Sequence, residues 1–243
     1  MGVTAYLTVA RSGAAEIEVK RSRFLCTVER VDDEVSARAV VERLRKRHWD
    51  AGHHCSAFVL GPDGSVQRSS DDGEPAGTAG APMLEVLRGR EVSDVVVVVT
   101  RWFGGVLLGA GGLVRAYGDA VRAGLDAVGT LRRVLVVEHE LTVDHADAGR
   151  LESELRSRGI AVLDAAYAER VTLRLGVPAE GAASDAGEGT GDGAGERSGE
   201  RSGERSGDAR GGSVGGLASL VAELTGGGAA SPIEVGRSWV DHP

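Results

Sequence analysis

The run Asp94-Val95-Val96-Val97-Val98-Val99-Thr100-Arg101-Trp102-Phe103-Gly104-Gly105-Val106-Leu107-Leu108-Gly109-Ala110-Gly111-Gly112-Leu113 decides the fold class. Five consecutive valines leave no wet position in a period-two alternation. The strand predicted over Asp94–Arg101 is therefore covered by protein on both faces. A glycine-rich loop follows. Leu113, Tyr117, Val121, Leu125 and Val128 then recur at helical spacing. A strand buried on both faces thus runs through a glycine-rich loop into a helix.

Working outward, Glu16–Val19 and Phe24–Val31 read as short strands. Glu34–His48 reads as a helix with Val35, Val40, Val41 and Leu44 inward and Arg38, Arg45 and Arg47 outward. Cys55–Leu60 and Val66–Ser69 form a hairpin around Gly61-Pro62-Asp63-Gly64, and Pro82–Leu87 a short helix. The second half changes rhythm. Leu135, Val137, His139, Leu141 and Val143 alternate as in a half-wet strand, and Ala148, Leu151 and Leu155 mark a helix. Strands over Ile160–Ala166 and Val171–Val177, a helix through Leu217, Leu220, Val221 and Leu224, and a strand over Ile233–Val240 complete a strand-helix-strand-strand-helix-strand order. That order is ferredoxin-like. Two domains are expected, 1–132 and 133–243.

Charge divides the chain the same way. The net charge is −8, from 28 Lys and Arg against 36 Asp and Glu, yet residues 1–132 carry 17 of each sign. The deficit lies beyond, half of it in 179–213, which holds 11 glycines and a tandem Gly-Glu-Arg-Ser repeat. Such a segment buries too little apolar surface to offset the entropy of ordering, and is expected to be a disordered insert. No apolar run approaches the ~20 residues that span a bilayer, and the N-terminus lacks a secretory pattern, so a cytoplasmic protein without a membrane is expected. Two cysteines, Cys26 and Cys55, make neither a disulfide framework nor a zinc site.

Three stretches carry chemistry. In Asp71-Asp72-Gly73-Glu74-Pro75-Ala76-Gly77-Thr78-Ala79-Gly80-Ala81-Pro82, three carboxylates crowd within four residues and repel unless a cation answers them. It is either a binding loop for a cation or basic partner, or an acidic turn with a helix cap. The Thr100–Arg115 loop can offer backbone N–H groups to an anion. It lacks the Gly-Lys-Ser/Thr of a phosphate loop and the glycine spacing of a dinucleotide site. Arg101 and Arg115 would bind phosphate or carboxylate, or else pair with Asp71, Asp72 or Glu74. In His53-His54-Cys55 only His53 and Cys55 share a strand face, which is too few ligands for a metal. No catalytic residue, metal or cofactor is expected.

These motifs, with Lys20-Arg21-Ser22-Arg23-Phe24 before them, resemble the YigZ/IMPACT family in content, order and spacing over residues 15–125. The second half resembles the smaller C-terminal domain of bacterial YigZ-type members. The resemblance implies an N-terminal α+β sandwich like domain 2 of a ribosomal protein, and a ferredoxin-like C-terminal domain like domain V of elongation factor G. It also implies a tie to control of translation initiation, through competition for a partner of an initiation-factor kinase. For bacterial members it implies a regulatory or nucleic-acid-binding role.

The leading expectation is a non-enzymatic translation-associated binding protein engaging ribosome, RNA or a translation factor; DNA is not expected. Its candidate surface comprises Asp71, Asp72, Gly73, Glu74, Gly77, Thr78, Arg101, Trp102, Phe103, Gly104, Gly105 and Arg115. The alternative is an enzyme or small-anion-binding protein built on Gly104–Gly112, with Asp72 or Glu74 as acid or base and Arg101 as clamp.

Overall fold

The computed structural model describes residues 2–179 and 214–242; most of the expected insert, 180–213, lies outside the described residues. The chain divides into two units, Met1–Arg133 with Asp241–Pro243, and Val134–Val240.

The first unit contains β1 (Ala5–Val9), β2 (Gly13–Val19), β3 (Ser22–Arg30), α1 (Glu34–Arg47), β4 (His53–Leu60), β5 (Val66–Ser70), α2 (Gly80–Gly89), β6 (Val95–Trp102) and α3 (Ala110–Val128). Its sheet runs β2-β3-β6-β4-β5 with every neighbour antiparallel. The valine strand β6 lies at the centre. Val95, Val97 and Val99 pack with Met83 and Leu87 of α2 and with Tyr117, Val121 and Leu125 of α3. Val96 and Val98 pack with Ala37, Val40 and Leu44 of α1. The sheet is thus sandwiched, α1 on one face and α2 with α3 on the other. Each fully buried valine contributes roughly 1.5–3 kcal/mol.

Local signals fix the helix ends. Asp33 caps α1 by accepting the Ser36 N–H at 2.7 Å. The last turn of α1 holds Arg45, Lys46 and Arg47, where the helix dipole favours cations. β1 was not read from the sequence. It pairs with β7 (Thr130–Val143), whose first residues, 130–133, belong to the same unit. Arg30 grips Asp241 through two bonds of 2.7 and 2.8 Å, which ties the chain's last residues to this unit.

The second unit contains the rest of β7, α4 (His145–Ser157), β8 (Ala161–Tyr167), β9 (Val171–Pro178), α5 (Val214–Thr225) and β10 (Ile233–His242) as far as Val240. Its strand order is β10-β7-β9-β8, the ferredoxin-like arrangement that the element order implied. Leu141, Leu151, Leu155, Leu173, Leu175, Leu217 and Val221 form its core.

Candidate functional site

The acidic loop joins β5 to α2 and is ordered by its own carboxylates. Asp72 and Gly73 both have positive φ (42° and 83°), and the Glu74 N–H closes the turn on the Asp71 carbonyl at 2.9 Å. The Asp71 carboxylate accepts the N–H groups of Gly77 (2.8 Å), Ala79 (3.0 Å) and Gly80 (2.8 Å). It thereby caps α2, whose N-cap residue Ala79 offers no side chain for the purpose. Burial pushes the Asp71 carboxyl up, but the three N–H donors outweigh it and hold the group below the usual carboxylate range. Thr78 closes the loop, its hydroxyl donating to the Pro75 carbonyl at 2.6 Å.

Asp72 accepts the His54 backbone N–H at 2.6 Å and the Arg45 guanidinium at 2.8 Å. Its carbonyl lies 2.9 Å from His53 Nδ1, and Gly73 turns beneath the same ring. Burial lowers the pKa of His54, against the attraction of Asp72.

Glu74 is the deepest of the three acids. Arg101 donates to its Oε1 at 2.6 Å, with side-chain exposures of 7% for the arginine and 3% for the glutamate. The Tyr117 hydroxyl donates to the same oxygen at 2.7 Å. The Cys55 thiol lies within reach of that hydroxyl (3.3 Å) and of the Asp71 carbonyl (3.0 Å). Burial pushes this thiol up to about 12 and raises the Tyr117 hydroxyl well above its ordinary value. The charges are therefore answered within the unit. An anion that claimed Arg101 would have to displace Glu74, so the clamp-and-acid arrangement of the alternative reading meets a closed ion pair.

Strand periodicity separates the next residue. Arg101 follows Val99 toward α3, whereas Trp102 follows Val98 and Thr100 toward α1. The Trp102 indole donates to Asp50 at 2.8 Å, meets His48 edge-on at 5.4 Å, and lies under Arg23 at 4.6 Å. Asp72 and Trp102 thus both stand at the C-terminal end of α1, through Arg45 and His48 respectively.

Beyond Trp102 the chain emerges. Phe103 is 58% exposed and Leu107 82%, with Val106 also exposed. Gly104 holds this loop to the β2–β3 turn. Its amide donates to Ser22 Oγ at 3.1 Å, and a Cβ there would overlap the Arg21 carbonyl and the Ser22 amide. Gly105 follows at a positive φ of 83°. Arg115 lies apart from the acids, contrary to the pairing considered for it. It is exposed on α3 and, with Gly77, lines a groove of about 760 Å³ between α2 and α3. The groove's other arginines, Arg90 and Arg122, pair with Asp126 and Asp119, each at 2.6 Å. Among the described residues Arg115 has no ion-pair partner, and no cluster of His, Cys, Asp and Glu is placed to hold a metal.

Residues 20–125, which carry this site, match the Impact N-terminal domain, and 141–184 match a domain of unknown function, DUF1949. The chain is 45% identical to "IMPACT family member YvyE" of Bacillus subtilis (strain 168), over 68% of this chain and 76% of the relative. The chain belongs to the IMPACT family. A second IMPACT relative, "IMPACT family member YigZ" of Escherichia coli (strain K12), is 43% identical over 67% of this chain and 80% of its own length. Among solved structures, one described as a crystal structure of a hypothetical protein is 31% identical, with a TM-score of 0.54 over 96% of this IMPACT chain and 98% of that one. Two contributors to the site went unread in the sequence. Tyr117 resembled any core position of α3, and Arg45 any solvated helix cation.

Proposed function

We propose that this chain is a non-enzymatic, translation-associated binding protein of the cytoplasm, engaging ribosome, RNA or a translation factor through the Phe103–Leu107 end of its first unit. One observation carries the reading: Phe103, Val106 and Leu107 stand in water on a loop clamped by Gly104 to a rigid sheet. Exposed large apolar groups on a well-anchored loop are what recognition surfaces present. The saturated acids support it. Asp71, Asp72 and Glu74 spend their bonds on Gly80, Arg45 and Arg101, and so stiffen the scaffold behind the loop. Family membership supports the translational setting, since the IMPACT resemblance carries a tie to initiation control. Among the described residues no helix is long and apolar enough to cross a membrane.

The test is co-sedimentation of the protein with ribosomes, and pull-down of purified initiation and elongation factors. Co-migration that Leu107→Glu abolishes is the expected result. No co-migration with ribosomes, RNA or any factor overturns the reading. A melting temperature raised by a nucleotide or phospho-metabolite, and no longer raised in Arg115→Ala, would install a small-anion ligand in its place.

A further inference from the structure

The recognition loop does not stand alone. The turn that Gly104 packs against is Lys20-Arg21, which joins β2 to β3 through the Val19–Ser22 pair. Both turn residues have positive φ, 48° and 66°. A two-residue hairpin of this kind suits Asn-Gly, and long cationic side chains are poorly matched to it. The sequence nevertheless places two cations there. Among the described residues neither has an ion pair, whereas neighbouring Arg23 is held by Glu16 at 2.9 Å. On the other side the loop leads into α3, where Val114 is exposed and lines the α2–α3 groove with the unpaired Arg115. The exposed apolar residues of the loop and of the start of α3 thus lie, in chain order, between the Gly104 contact with the cationic turn and the unpaired Arg115.

That pattern selects among partners. Single-stranded RNA is gripped by aromatic faces on which bases stack. Trp102 is occupied by Arg23, His48 and Asp50, and Arg101 lies 5.8 Å from the Phe103 ring. Val106 and Leu107 offer no π-face at all. Aliphatic anchors rimmed by charge are instead the anatomy of a protein–protein contact. Residues 1–132 are balanced in charge, so the cationic surplus is local and gives no general affinity for polyanions.

We propose that this face takes an acidic, apolar-anchored segment of another protein. Its aliphatic or aromatic side chains seat on Phe103, Val106 and Leu107 and reach toward the α2–α3 groove, and its carboxylates meet Lys20, Arg21 and Arg115. The inference rests on the placement of the recognition surface at Phe103–Leu107 and adds the chemistry of what binds there.

The test presents the full chain with a random peptide display library and, in parallel, a random single-stranded RNA pool. Leu107→Glu serves as counter-selection. Lys20→Asn/Arg21→Gly is the second variant, because it removes both cations while relieving the turn. Enriched peptides should combine Asp or Glu with Leu, Ile or Phe. A synthetic peptide of that class should bind about tenfold or more weakly to Leu107→Glu, as for a contact at the centre of an interface. It should also bind several-fold more weakly to the turn variant, whose melting temperature is not lowered. Enrichment of Lys- and Arg-rich peptides overturns the proposal. RNA capture that Leu107→Glu abolishes, with no peptide enriched, keeps the recognition face and replaces its occupant. Failure of both pools to distinguish wild type from Leu107→Glu removes the face as well.

Discussion

Replacing Arg101 by Met removes a guanidinium from a carboxylate 2.6 Å away while keeping most of the side chain's volume among Phe24 and its neighbours. Glu74 then stays buried with the Tyr117 hydroxyl as its hydrogen-bond partner and the His53 ring 3.9 Å away in place of the guanidinium. Breaking a buried pair on one side leaves an uncompensated charge and costs about 3–5 kcal/mol. At about 4 °C per kcal/mol for a unit of this size, the first unit should melt some 12–20 °C lower. The companion variant Glu74→Leu/Arg101→Met removes both charges and should recover to within about 1 kcal/mol of wild type, because a matched apolar pair avoids the desolvation cost. Thermal and urea unfolding followed through Trp102 fluorescence, in a Trp49→Phe/Trp239→Phe background that leaves it the sole tryptophan, supply both values. A loss below about 1 kcal/mol in Arg101→Met, or a double variant no better than the single, would show that the pair does not anchor the acidic loop.

Asp71→Asn should cost about 1.5–3 kcal/mol near neutral pH, since a charged acceptor of three N–H groups is lost. The folded-state pKa of Asp71 is depressed, so its contribution is present above the unfolded value of about 3.9 and fades as pH falls through the folded one. Urea midpoints of wild type and variant should therefore converge below about pH 4; a gap unchanged down to pH 2 contradicts the assignment. Cys26 and Cys55 are fully buried, and burial pushes both thiols up to about 12. At pH 8 an aromatic disulfide reagent should modify neither in the native protein and both in guanidinium; rapid native labelling would place a thiol at the surface. Lys20→Asn/Arg21→Gly should stabilise the first unit by about 1–2 kcal/mol through relief of the left-handed turn, and a lower melting temperature would refute that strain.

Much of the architecture was legible because it is periodic. The valine run of β6 declared two covered faces, and it separates the α1 core from the α2–α3 core. The alternation around Leu141 and Leu173 declared the second sheet. β1 was not legible. Ala5–Val9 is short, and its partner strand starts at Thr130, so its pairing is a long-range outcome that no local pattern announces. The two motif loops stood out as chemistry, but their pairing did not. Period two sends Arg101 and Trp102 to opposite faces, so one arginine meets Glu74 while the adjacent indole meets α1. Arg115 carries the same charge one helix turn beyond the loop and meets no acid, because α3 turns it toward α2. The strained cationic turn at Lys20-Arg21 was visible only as a family motif, since positive φ cannot be read from side-chain type.

The central claim, that the Phe103–Leu107 loop is where this IMPACT protein meets the translation apparatus, is tested most directly by a photo-crosslinking side chain placed at position 107 in living cells. A second chain carries it at position 35, where Val35, expected inward from its spacing, is instead comparably exposed in the first turn of α1. Products joined to a ribosomal component or translation factor from position 107 and absent from position 35 are the expected result. The same products from both positions, or none from position 107, would contradict the account.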